Sequence, residues 1–283
     1  MILRNVLAMG TIRLREAGIE GAARDAQLLL AHALRIDVMH LALEGGRDVP
    51  PADLLTYEHH LDRRMAHEPV SKITGTRAFW GRDFEVTRDV LDPRPETETL
   101  IALALQDAPP ARLLDLGTGS GILAITLLAQ WPEARGVAVD ISDAALGVAR
   151  RNATRLGVAD RLTLDRSDWY GTVGGRFGLI VSNPPYIAAS EMPSLAPEVL
   201  GYDPELALTP GGDGLAPYRV IAAGAGRHLD PGGRLMVEIG HRQGPAVASI
   251  FRDAGLEDIA IHPDLDGRDR VVTARSKHES TLS

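Results

Sequence analysis

The chain has 283 residues, enough for one large domain or two ordinary ones, with 45% hydrophobic residues but only 4% aromatics to fill its core. It has no cysteine, which excludes disulfides, thiolate catalysis and cysteine-ligated zinc, and no metal ligands are assigned. A net charge of −8 argues against binding through nucleic-acid phosphates, which needs a basic face, and favours a protein or small-molecule partner.

In chain order, the opening "MILRNVLAMGTIRLREAG" lacks the apolar core and small-residue cleavage site of a signal peptide. No run of ~18 apolar residues follows that could span a bilayer, so the cytoplasm is the expected location. Residues 1 to about 70 read as helical. "GAARDAQLLLAHALRI" and "PADLLTYEHHLDRRMAHE" carry apolar residues at helical spacing on either side of the Gly/Pro break "EGGRDVPP". Then Phe79, Trp80, Phe84 and Val86 flank Gly81 in the pattern of a short hairpin, which ends in the stiff Pro93-Arg94-Pro95. The expected division is a helical domain over 1–75, a hairpin linker over 76–96 and a larger domain over 97–283.

From residue 97 the pattern alternates. A helix around Leu100 and Leu105 precedes the strand "ARLLDLG", the helix "GILAITLLAQ", the strand "GVAVDIS" and the helix "SDAALGVARRNATRLG". Strands "RLTLDRSD" and "FGLIVSNPPY" come next, and later "GRLMVEIG", the helix "QGPAVASIFRDAG" and the closing strands "LEDIAIH" and "RDRVVTAR". Strands alternating with helices predict an α/β fold with a doubly wound, mainly parallel sheet. The polar end "SKHESTLS" is expected to fray.

Two stretches carry chemistry. "LLDLGTGSGIL" places Gly117, Thr118, Gly119, Ser120 and Gly121 between a strand and a helix, where glycines let the backbone turn sharply and approach a ligand closely. The spacing is G-x-G-x-G, which differs from the dinucleotide pattern G-x-G-x-x-G. Asp140 ends the next strand, placed to accept hydrogen bonds from both hydroxyls of a ribose; capping of the helix near Ser142 is its alternative use. After the third strand, Asp168 can accept from an adenine amino group and Trp169 can cover the ring, or Trp169 can simply pack on the sheet edge. The second stretch is "LIVSNPPYI". Two prolines end the strand, and Asn183, Pro184, Pro185 and Tyr186 fall over the same crevice.

The glycine turn, the acid after the second strand and the N-P-P-Y loop, in this order, resemble the S-adenosylmethionine-dependent methyltransferases of amide and exocyclic amino nitrogens. More narrowly, "FWGRDFEV", "PRPETE", "SDWY", "SNPPY" and "YDPELAL" are similar to the bacterial peptide-chain-release-factor glutamine methyltransferases, a likeness covering most of the chain. The resemblance implies a seven-stranded methyltransferase sheet, S-adenosylmethionine as cofactor, and release factors as protein substrates, methylated on the glutamine of a Gly-Gly-Gln motif. Because every cofactor motif lies after residue 92, the larger domain, 97–283, is expected to bind the cofactor and the helical domain to recognise the substrate.

The same likeness makes Asn183, Pro184 and Tyr186 the catalytic residues, Pro185 a further substrate contact, and the glycine turn, Asp140, Asp168, Trp169 and Asn183 the cofactor site. The Asn183 side-chain oxygen and the Pro184 carbonyl would take the two hydrogens of the target amide, with Tyr186 against its plane. "PRPETE" lies near the methionine end of the cofactor in the family, so Arg94, Glu96 and Glu98 are candidates there, as is plain helix capping. Glu238 ends the strand "LMVEIG" toward the crevice with no role assigned. Three other readings remain at this point: a DNA adenine-N6 methyltransferase, a cofactor-binding scaffold without catalysis, and an NAD-dependent oxidoreductase. The first lacks a basic target-recognition segment, the second leaves N-P-P-Y without a use, and the third conflicts with the glycine spacing.

Overall fold

In the computed structural model, which describes residues 1–278, apolar residues at helical spacing build a first unit. Helices α1 (Leu3–Glu16), α2 (Ala22–Leu34), α3 (Val38–Leu43), α4 (Pro51–Met65) and α5 (Val70–Thr74) bury Leu3, Leu14, Leu29, Leu30, Tyr57 and Leu61 against one another. Pro51 opens α4, where a missing N–H has no intrahelical partner to lose. Asp37 caps α3 by accepting the Met39 N–H at 2.7 Å. This unit spans Met1–Thr76 and also takes in Ala196–Tyr202.

The second unit begins at Arg77, within a hairpin of β1 (Thr76–Phe79) and β2 (Arg82–Glu85), with Gly81 at φ +69° in the turn. A single 3-10 turn, Pro95–Thr97, leads into α6 (Glu98–Ala104). Then come β3 (Arg112–Leu116), α7 (Ile122–Gln130), β4 (Arg135–Asp140), α8 (Asp143–Arg155), β5 (Leu162–Arg166) and β6 (Phe177–Ser182). The hairpin is tied to α8 through Asn152, whose Oδ1 accepts the Glu85 N–H at 2.7 Å while its Nδ2 donates to the Ser120 carbonyl at 2.9 Å.

After β6 the chain forms α9 (Pro197–Tyr202), α10 (Glu205–Leu208) and α11 (Ala216–His228), none of which the sequence pattern above predicts. Helix α9 belongs to the first unit: the Tyr202 hydroxyl donates to the Ala66 carbonyl at 2.7 Å, and Glu198 joins the Arg64–Asp25 ion pair, in which Arg64 is buried. Finally β7 (Leu229–Glu238), α12 (Gly244–Asp253), β8 (Glu257–Pro263) and β9 (Asp269–Arg275) close the fold.

The sheet has seven strands in the order β5-β4-β3-β6-β7-β9-β8, parallel except for β9, which runs antiparallel to both neighbours. Strand β3 sits centrally, and Leu113, Leu114 and Leu116 are fully buried, as expected where both faces are covered. One face packs α6 and α7 through Leu100, Ile101, Ile125 and Leu128; the other packs α11 and α12 through Tyr218, Ile221, Val247 and Phe251. From β3 the order runs outward through β4 and β5 on one side and through β6 and β7 on the other. That reversal opens a crevice at the carboxyl ends of β3 and β6, where ligands bind in open sheets of this kind.

The expected fraying of 276–283 needs correction at its start. Ser276 donates its N–H to the Gly233 carbonyl at 2.9 Å and Lys277 accepts from Gly232 at 3.3 Å, which extends the edge of β9. Residues 279–283 of that stretch lie outside the described residues.

Candidate active site

The turn after β3 shows why its glycines differ. Gly117, Gly119 and Gly121 all have positive φ, at +71°, +55° and +85°. A Cβ on Gly117 or Gly119 would meet nothing within 4 Å, so these two face open space, whereas one on Gly121 would press on Ile125 and Ala149. Gly121 therefore serves the packing of α7 on α8 and does not line the cavity, while Gly117, Thr118, Gly119 and Ser120 do. Beneath the turn, buried Asp115 accepts the Thr118 hydroxyl at 2.7 Å and the Ala124 N–H at 3.2 Å on one oxygen. Its other oxygen has no partner among the described residues, and burial pushes its carboxyl up to about 7.

The cavity over these strand ends measures about 340 Å³, within the range of small-molecule sites. Asp140 lines it from the end of β4. Its Oδ2 accepts the Gly119 N–H at 2.9 Å and its Oδ1 the Ser142 N–H at 2.9 Å. Each oxygen keeps lone-pair capacity for a further donor. Burial raises the Asp140 pKa, against the opposing pull of those backbone N–H groups. Capping of α8 falls to Ser142, whose hydroxyl accepts the Ala145 N–H at 3.2 Å. Asp168 and Trp169 line the cavity after β5, and Trp169 also packs on the core between the sheet and α11.

The N-P-P-Y loop follows β6, where the Ser182 hydroxyl donates to the Leu116 carbonyl at 2.7 Å and holds the two strand ends together. Asn183 and Pro185 line the cavity; Pro184 is buried beside them and Tyr186 lies outside the lining. The Tyr186 ring packs against the core between the sheet and helices α11 and α12, and burial raises its phenol pKa. Its carbonyl accepts from Gln243 Nε2 at 2.8 Å, and Gln243 Oε1 in turn accepts the Gly240 N–H at 3.0 Å. Gly214, at φ +75°, passes so close that a Cβ there would overlap the Tyr186 carbonyl. Asn183 Nδ2 donates to Thr97 Oγ1 at 3.4 Å, and Oδ1 is left as the unused end of the amide among the described residues.

The segment before α6 closes the cavity. Arg94 lines it and pairs with Asp203 at 2.7 Å, while Asp203 also accepts the Asp92 N–H at 3.0 Å. Glu98 accepts the Trp80 N–H at 2.8 Å and so fastens the hairpin turn; neither it nor Glu96 lines the cavity. Glu238 is buried at the end of β7, and burial pushes its carboxyl up to about 7. Thr97, Asp203 and Gln243 are site-building residues that sequence reasoning missed, because each acts through a partner far away in the chain.

The residues present fit S-adenosylmethionine. Open space above Gly117 and Gly119 admits a close ligand, Asp140 offers two acceptor oxygens for a diol, and Ile122, Leu123 and Trp169 supply apolar wall.

Comparison with known proteins agrees with this geometry. Residues 5–75 match the family described as the PrmC N-terminal domain, and residues 91–215 the methyltransferase small domain. A release factor glutamine methyltransferase of Cereibacter sphaeroides is 58% identical, over 93% of this chain and 94% of that one. One from Rhodospirillum rubrum is 43% identical, over 100% of this chain and 87% of that one. Among solved structures, a methyltransferase from Pyrococcus furiosus has a TM-score of 0.55 at 17% identity, covering 78% of this chain and 99% of its own. That likeness concerns the fold.

Proposed function

The chain belongs to the release factor glutamine methyltransferases, and we infer that Asn183 and Pro184 hold the target glutamine amide while it is methylated. It is an S-adenosylmethionine-dependent methyltransferase acting on a release factor glutamine. The observation that carries the residue assignment is the Asn183 amide: its Nδ2 is engaged by Thr97, and its Oδ1 is left as an acceptor beside the cavity.

An amide nitrogen is a weak nucleophile because its lone pair is delocalised into the carbonyl. Acceptors fixed on both of its N–H groups push electron density back onto nitrogen and hold it in line for attack. Asn183 Oδ1 takes one hydrogen and the Pro184 carbonyl the other. Pro185 restricts Pro184 to extended backbone and so fixes where that carbonyl points. When bound, S-adenosylmethionine supplies an electrophilic methyl group on a sulfonium. The nitrogen sheds one proton as its new bond forms; an N-alkylated amide cation is too acidic to need a strong base. Asp140 and the turn at Gly117–Gly119 hold the nucleoside, and Trp169 covers its base.

The helical unit recognises the release factor, and the target glutamine is that of a Gly-Gly-Gln motif. The protein works where release factors do, in the cytoplasm; among the described residues no helix is long and apolar enough to cross a membrane. Incubation with isotope-labelled S-adenosylmethionine and an intact release factor, followed by mass-spectrometric mapping, tests this reading. A label on the Gly-Gly-Gln glutamine is expected. A label only on another residue, or only on added duplex DNA, would overturn it.

A further inference from the structure

Glu238 has no part in the mechanism above, yet it is a carboxyl group only 1% exposed, with Oε2 lacking a partner among the described residues. Arg94, Glu96 and Arg270 act on it through space, and among its neighbours the fully buried Thr97 acts on it most strongly. Thr97 also accepts from Asn183 Nδ2. The three residues thus form a line from the end of β7, through the 3-10 turn, to the loop after β6.

A threonine hydroxyl has one proton to give. A carboxyl oxygen of Glu238 can take that proton whether or not the group is ionised. With its proton so committed, Thr97 Oγ1 can only accept, and only the Nδ2 end of the Asn183 amide satisfies it. Oδ1 is then turned to the cavity that Asn183 lines. We propose that Thr97 and Glu238 are positioning residues that lock the Asn183 amide with its oxygen, and not its nitrogen, presented to the substrate amide. Released from Thr97, the Asn183 amide rotates by half a turn and sets N–H against N–H, which repels the substrate. This inference rests on the reading of Asn183 as an acceptor.

The test is single-turnover methyl transfer to an intact release factor by the full-length protein, with S-adenosylhomocysteine affinity and thermal unfolding measured alongside. Thr97→Val keeps the shape and deletes the hydroxyl; its rate should fall about 10-fold or more, with cofactor-product affinity within about twofold of wild type. Thr97→Ser restores the hydroxyl and should recover most of the rate. Glu238→Leu frees the Thr97 proton without leaving a buried charge, so its rate should fall like that of Thr97→Val while its midpoint holds or rises. That opposition between rate and stability is not expected of a merely structural residue, and it keeps the test intact if Thr97→Val folds poorly. Wild-type rates in Thr97→Val and Glu238→Leu, beside a slow Asn183→Ala, would overturn the positioning role alone. Equal losses in Thr97→Ser and Thr97→Val would overturn it as well. A wild-type rate in Asn183→Ala would overturn the underlying reading of Asn183.

Discussion

Asp140 reaches from the end of β4 to the glycine turn after β3, where its Oδ2 accepts the Gly119 N–H at 2.9 Å. One carboxylate thereby shapes the turn and, in the proposed reading, presents oxygens to the ribose of the cofactor. Asp140→Ala should weaken S-adenosylhomocysteine binding by roughly 10- to 150-fold, corresponding to about 1.5–3 kcal/mol of charged hydrogen bonding. Titration calorimetry checks this. An unchanged dissociation constant would limit Asp140 to fastening the turn.

Gly214 tests the N-P-P-Y loop from behind. Gly214→Ala adds a Cβ at φ +75° against the Tyr186 carbonyl, which Gln243 otherwise holds. The backbone strain costs about 1 kcal/mol in stability. Because the loop must shift to relieve the overlap, turnover should fall at least 10-fold under conditions where the protein remains folded. Full turnover in a folded Gly214→Ala protein would show that the loop tolerates displacement.

The pH dependence of stability has a sign fixed by burial. Glu238 is held at about 7 in the folded chain against an ordinary 4.5, so between those values the folded state binds more protons than the unfolded one. Stability contributed by Glu238 is therefore present at low pH and lost as pH rises toward 7, on the order of 3 kcal/mol in all. His32, His60 and His262, whose pKa values are lowered from the ordinary 6.5 chiefly by desolvation, act in the opposite direction. The clean measure is the difference between Glu238→Gln and wild type in urea unfolding, which should move in favour of the variant from pH 5 to pH 8. A difference independent of pH would contradict the buried-carboxyl account.

The helical unit exposes Met39, Leu43 and Leu55 at 80%, 82% and 72%. If this unit recognises the release factor, charged substitutions such as Leu43→Glu should raise KM for the intact factor several-fold. S-adenosylhomocysteine affinity should not change. An unaltered KM across substitutions at all three positions would place recognition on another surface.

The alternating strands and helices were legible because the central strands are buried and read as largely apolar runs, "LIV" in β6 and "LL" before Asp115 in β3. The glycine turn and N-P-P-Y were legible because each needs residue types that few other structures use. Helix α11 was not, since "APYRVIAAGAGRH" mixes glycine with small residues and blurs its apolar stripe. Gly224 within it is demanded by the Tyr170 ring packed against it, a contact no local pattern reveals. Thr97 was hidden among the charges of "PRPETE", where Arg94 and the glutamates attract attention. Its meaning depends on Asn183 and Glu238, which only the folded sheet brings beside it. Likewise nothing local in "APEVLGY" announces that it joins the first unit through Glu198 and Tyr202.

The central claim is that the Asn183 side-chain oxygen activates and aligns the glutamine amide. The most direct test is single-turnover methyl transfer to an intact release factor by Asn183→Ala, run beside thermal unfolding and S-adenosylhomocysteine titration. The predicted result is a loss of about 10²–10³-fold in rate, by analogy with removing one preorganised hydrogen-bonding group, with the unfolding midpoint and the affinity little changed. A wild-type rate, or a fall in rate matched by a parallel fall in stability, would contradict it.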